Sequence, residues 1–404
     1  MSELKKLNKD FAYELMAVPT YSGMEHRMVA FILLFAEKNK ISYQFDNYGN
    51  IYLTKGELAE GEYYPCMTAH IDSVQTKHKE FINGGDVLNV LTRDGKNGKT
   101  EIYGEDYGLG GDDKCGVLIA LSCFQFCDKL KASFFLEEET GCKGSSNLDK
   151  DFFSNVGYVI GFDSPDFNRS AWSVSGAQMF TKDFYLNYMK EICDKHGRTK
   201  FYSEPFTDIK EIRNKVPIQC MNFGSGYYNA HMANEYVVLE EVDDCIELAL
   251  NLIDKLKYVR YELESGLSTY SGYSSYTRNP KTGIFEPSKE ESSNKDDIAF
   301  LKTLGDNDTR YYNNYRSRYF QDWEDEDEYF DYYYGKYNKN AHNKEKEEEK
   351  NDSIINDERI IAYVMERYDE RIEQIEKDVR AKCTELNIDF DTEFGDIFAE
   401  TVTF

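Results

Sequence analysis

Residues 108–127 read GLGGDDKCGVLIALSCFQFC, and residues 132–141 follow with ASFFLEEETG. The first stretch passes from a glycine-rich turn into an apolar run of helical length; the second is a short buried strand that ends in acids. GYVIGFD at 157–163 repeats that second pattern, and upstream YYPCMTAHIDSV at 63–74 also runs from apolar to polar. Strands that alternate with helices predict an α/β domain whose sheet is largely parallel. In such sheets ligands gather beyond the carboxyl ends of the strands, where these polar residues fall. Ahead of this core, residues 8–16 and 24–38 have helical spacing, the second after the break PTYSG, and ISYQFDNYGNIYLTKG at 41–56 alternates around Asn-Tyr-Gly-Asn as a hairpin does.

Divalent metals that activate water need neutral imidazoles and ionised carboxylates held on rigid elements. His70 and Asp72 end one strand two residues apart, so they share a face and Asp72 can fix the tautomer of His70. Asp112-Asp113 open the apolar helix after Gly110-Gly111. They suit either a dipole-friendly helix start or a carboxylate that bridges two cations from a tight turn. Glu137-Glu138-Glu139 end the ASFFL strand, where adjacent acids are either solvated or neutralised by cations. Asp163 ends VIGF, and His231 lies in GYYNAHMANEYV before a long apolar helix. Each group has an ordinary surface reading by itself; together they supply two histidines and several acids on successive strand-end loops, enough for two three-ligand sites with one shared bridge. The donors of two such sites would gather around two points about 3.5 Å apart.

The segments PTYSGMEHRMVAFI, DNYGNIYLTKG, TAHIDSV, LGGDDKCGV, EEETGCKGS, GFD and NAHMANEYV occur in this order over most of residues 8–263. In this order they resemble the zinc exopeptidase superfamily of peptidase T, carboxypeptidase G and the aminoacylases, and most of all its peptidase T-like branch. The resemblance implies a three-layer sandwich around a central, mostly parallel mixed sheet. It also implies two divalent ions, zinc by preference, with His70 and Asp163 on one, Glu139 and His231 on the other, and Asp112 between them. Glu138 falls at the position of the general base, Asp72 at that of the residue orienting the histidine, and Asp112–Asp113 at a cis peptide. The implied activity is that of an aminopeptidase-like exopeptidase, a metallopeptidase in which Glu138 takes the proton of the attacking water. A deacylase or desuccinylase of N-acyl amino acids would use the same groups. A catalytically silent interaction scaffold would have no physical need for six of them together. In one respect the chain departs from the family: peptidase T-type members insert a lid or dimerisation domain between the segments matching Asp163 and His231, where this sequence has 67 residues. The lid is expected to be missing.

The net charge of -26 opposes binding to phosphate backbones, so nucleic acid is not an expected partner; a small peptide or N-acyl amino acid is. Nine cysteines form no C-x-x-C pair, and with no apolar leader or membrane-length run they suggest reduced thiols in a cytoplasmic protein without membrane contact. Residues 265–404 carry 33 acidic and 19 basic side chains. Residues 264–352 form a tyrosine-rich acidic linker that is expected to be disordered, and 353–404 hold an amphipathic helical segment able to meet a protein partner or another copy. The catalytic domain is thus expected to span 1–263. The remaining histidines are expected to be solvated (His26, His78 in a lysine-rich loop, His196, His342), and Arg213 to sit in a surface salt bridge.

Overall fold

The computed structural model describes residues 7–204 and 206–263, the backbone of two strands at Tyr276–Arg278 and Phe285–Pro287, and residues 300 and 303. Its strands are β1 Ser42–Phe45, β2 Ile51–Lys55, β3 Tyr64–His70, β4 Val90–Asp94, β5 Thr100–Gly104, β6 Leu130–Phe135, β7 Val156–Ser164, β8 Arg169–Val174, β9 Ala177–Gln178, β10 Lys200–Glu204, β11 Cys220–Gly224, β12 Tyr227–Tyr228 and β13 Tyr236–Val238. The helices are α1 Lys9–Met16, α2 His26–Lys38, α3 His78–Gly84, α4 Gly111–Phe126, α5 Lys143–Ser146, α6 Lys182–Phe184, α7 Lys190–Lys195, α8 Asp208–Lys215 and α9 Leu239–Leu256. A π turn at Tyr185–Met189 joins α6 to α7.

The central sheet runs β1-β2-β6-β3-β7-β11-β8-β10, with β9 added beside β8. Pairs β6–β3, β3–β7, β7–β11 and β8–β10 are parallel, while β1–β2, β2–β6 and β8–β11 are antiparallel. The sheet is therefore mixed and mostly parallel. Every residue of β3, β6, β8 and β11 is buried, which requires cover on both faces. Helix α4 is buried almost all round, as its run GVLIALSCF demands, because it packs on β3 and β7 and against α9. Eight cysteines among the described residues are buried free thiols. No described helix is long and apolar enough to cross a membrane.

The residues between Asp163 and His231 enter this architecture. They supply β8, β9, β10 and β11 to the central sheet and α6 to α8 around it. A second sheet, β12-β13-β5-β4, has no counterpart in the sequence reading. Within the stretch expected to lack structure, Tyr276–Arg278 pairs antiparallel with Phe285–Pro287, where Tyr, Thr and Phe favour strands. The rest of that linker and the amphipathic segment 353–404 lie outside the described residues.

Candidate metal centre

Register in the parallel core brings the acids and histidines to one edge. His70, the last residue of β3, is paired with Phe135, the last residue of β6, so the Glu137-Glu138-Glu139 run emerges beside it. Thr68 is paired with Gly161, which sets Asp163 of β7 opposite His70 on the other side. Asn222 of β11 brackets the Asp163 backbone, accepting from its N–H and donating to its carbonyl, each at 3.0 Å. Asp112 enters at the start of α4, where Gly110 takes φ +71° and the Asp112–Asp113 peptide is cis. His231 comes from the loop between β12 and β13 at φ +64°. Glu137 and Cys142 share that left-handed backbone, which costs a non-glycine residue roughly 1–2 kcal/mol and is not legible in sequence.

Asp112 stands between two groups of donors. One of its oxygens lies 3.2 Å from His70 Nε2, and His70 Nε2 is 3.7 Å from Asp163 Oδ1. Its other oxygen lies 3.3 Å from His231 Nε2, which is 2.8 Å from Glu139 Oε1. Three sets, His70–Asp112–Asp163, Asp112–Glu139–His231 and His70–Glu138–Glu139, each offer donor atoms within 4.8 Å of one another, the spacing of a metal site. The third set includes Glu138 beside Glu139, with Glu138 Oε2 3.9 Å from His70 Nε2. Asp72 supports both groups: Oδ1 lies 3.3 Å from His70 Nδ1 and accepts from the Glu138 N–H at 2.9 Å, and Oδ2 accepts from the Glu139 N–H at 3.2 Å and from Ser22 Oγ at 2.7 Å.

The cluster is electrostatically demanding. Burial pushes Asp163 up to about 7 against the pull of His70. Glu138 is driven well above the usual carboxylate range by burial, and neighbouring Asp163 and Glu139 add to the effect. Glu139 is raised by burial against the pull of His231. For Asp112 burial is outweighed by His231 and His70, which hold it low. The two histidines move the other way: burial opposes their charge, yet the surrounding carboxylates raise both well above the ordinary imidazole value. Without other cations, then, the acids are neutralised by protons, their own and those of the imidazoles. Imidazole nitrogens and carboxylate oxygens are the donor types of zinc, and a divalent ion supplies the positive charge the acids lack. The donor set fits such ions.

Other residues fall differently from the sequence reading. His78 is fully buried, with Nδ1 2.8 Å from the Thr20 carbonyl and Nε2 2.8 Å from that of Gly108. His196 is buried against Asp244 and Asn251, and Arg213 is buried with Nε donating to the Gln178 carbonyl. All three sit among charged sequence neighbours, which hid the tertiary partners that bury them. His26 is part-exposed, and His342 lies outside the described residues. Two further groups lie near the centre, of which the sequence reading passed over Asp208 and took Cys142 as a buried thiol. Asp208, at the start of α8, is buried and pushed up to about 8 by that burial, within the field of His70 and Asp163. Cys142 places Sγ 3.5 Å from Glu138 Oε1.

No family model matches the chain, and no curated protein matches it. Among solved structures, the aminopeptidase PepT from Bacillus cereus superposes over 60% of this chain and 96% of its own, with 14% identity and a TM-score of 0.51. A tripeptidase from Staphylococcus aureus gives 13% identity over 59% and 95%, with a TM-score of 0.48. The TET1 peptidase of Pyrococcus horikoshii gives 15% over 60% and 98%, with a TM-score of 0.47. The first of these shows that the chain shares the fold of that aminopeptidase, and the chain's own His, Asp and Glu groups are spaced to hold metal at the carboxyl edge of the sheet.

Proposed function

We propose that residues 1–263 form a two-metal peptidase, an exopeptidase of aminopeptidase type. One observation carries this reading: Asp112 directs one oxygen to His70 and the other to His231, 3.2 and 3.3 Å away, as a carboxylate shared by two cations would. His70 and Asp163 would hold one ion, Glu139 and His231 the other. Two zinc ions held there would bring water toward ionisation at neutral pH and polarise the scissile carbonyl. Glu138 is the proton carrier. It is buried, and its Oε2 lies beside the His70–Asp112 pair. It takes the proton of the attacking water and passes it to the departing amine. Asp72 keeps the His70 ring in place and fixes the backbone from which Glu138 and Glu139 project.

Glu138→Gln tests the assignment, because the amide keeps the size of the side chain and removes the base. Zinc content and folding should stay at the wild-type level while turnover on a panel of aminoacyl and N-acyl substrates drops by about 10²–10⁴-fold. Wild-type turnover in this variant would remove Glu138 from the mechanism. Hydrolysis of N-acyl substrates in preference to aminoacyl ones would replace the peptidase by a deacylase.

A further inference from the structure

The loop that carries His231 also carries Glu235, four residues on, which is completely buried. Its carboxylate does not face the donor cluster; it grips backbone. Glu235 Oε2 accepts from the Gly110 N–H at 2.7 Å and from Gln75 Nε2 at 3.3 Å, and Oε1 accepts from the Asp112 N–H at 3.2 Å. Gln75 Nε2 also lies 3.4 Å from the Met232 carbonyl, back in the His231 loop. One side chain thus ties together the segment after His70, the turn that presents Asp112, and the loop that presents His231. Close approach is built into the sequence: a Cβ on Gly108 would lie 2.1 Å from Gln75 Nε2, and one on Gly111 2.7 Å from Val237. The glycines of GLGGDD therefore serve the approach of this neighbouring loop as well as the turn itself.

We propose that Glu235 is the positioning residue that fixes Asp112 relative to His231, and so sets the affinity of the cation position those two share with Glu139. His70 and Asp163 are held by adjacent strands of the sheet. The His231 loop belongs to the other sheet, and the buried carboxylate is its hydrogen-bonded link to the Asp112 turn. The inference rests on the two-metal reading.

In Glu235→Gln one oxygen becomes an NH2 group that cannot accept. The remaining oxygen is best spent where two donors converge, on Gly110 and Gln75, so the mismatch falls on the Asp112 N–H. Calorimetric zinc titration of the full chain, with metal analysis and metal-free melting curves, reads the effect. Wild type should take two zinc ions. Glu235→Gln should keep one near wild-type affinity and bind the second about 10–100-fold more weakly, the scale of a lost supporting contact, with little change in metal-free melting. Glu235→Asp, which keeps the charge and shortens the reach, should weaken the same position and serves if the amide variant does not fold. Equal weakening of both positions, or two ions bound as in wild type, overturns the inference alone. Fewer than two ions on the wild type overturns the two-metal reading, and the inference falls with it.

Discussion

The two halves of the candidate metal centre are built on different principles. His70 ends a fully buried strand, its side chain is 1% exposed, and Asp72 backs its second nitrogen. His231 rides a loop in left-handed backbone with its side chain 21% exposed. The first half is placed by strand register, which the core fixes; the second depends on loop contacts, which less of the molecule holds down. Ligands of equal chemistry therefore need not bind equally, and the first ion is expected to enter on the His70 side.

Removing each histidine in turn puts that contrast at risk. His70→Ala should have the largest effect. It strips the imidazole from buried Asp72 and half-buried Asp112 and Asp163, abolishes turnover and zinc binding on its side, and costs about 3–5 kcal/mol of stability, as broken buried pairs do. His231→Ala should lose turnover and the second ion, retain the first, and lose less stability. If urea unfolding and metal analysis find the two variants alike, the halves are equivalent.

Asp72→Asn comes next. Its oxygens serve His70 as well as the Glu138 and Glu139 N–H groups, so both ions should weaken together by about 10–100-fold. Selective loss at one position would show that Asp72 belongs to one half only.

The smallest effect concerns the framework under the Asp112 turn. Burial, with the charge of Lys114, pushes His78 down to about 3 from an ordinary 6.5. Below pH 6.5 the unfolded chain binds a proton that the native chain refuses until about 3, so this group's stability is lost as pH falls through that window. The contribution is about 1.4 kcal/mol per pH unit. His78→Gln should flatten the dependence of unfolding free energy on pH between about 4 and 6 by roughly 1 kcal/mol per unit. An unchanged slope would mean that His78 is protonated in the native chain.

What was legible in the sequence follows the same division. His70 and Asp163 stand out because each sits where an apolar strand pattern turns polar, and Asp112 because it opens an apolar helix after a glycine-rich turn; the alternation of such patterns gives the parallel sheet. Asp208 could not, since Thr207-Asp208 has the form of an ordinary helix start and Thr207 does accept from the Ile209 N–H. Tertiary packing of α8, against α5, β3, β9 and β11, brings Asp208 near the centre. Glu235 likewise stands as one polar residue in a loop, and its three donors come from segments more than a hundred residues away. The β4–β5 hairpin escapes a period-two reading because β4 is half-exposed to exposed throughout, although Asn97-Gly98 marks its turn.

The buried thiols offer a clock. Cys66 lies on β3, Cys115 and Cys123 on α4, Cys220 on β11 and Cys245 on α9, while Cys142 sits beside Glu138. Burial drives the thiols of Cys66, Cys115, Cys142, Cys220 and Cys245 above their ordinary range. A thiol reagent therefore waits for the chain to open, and its rate at each cysteine measures how often that region does so. With zinc added, Cys142 would report the opening of the Glu138 segment separately from that of the sheet, turning ion binding into a local rate that can be followed cysteine by cysteine.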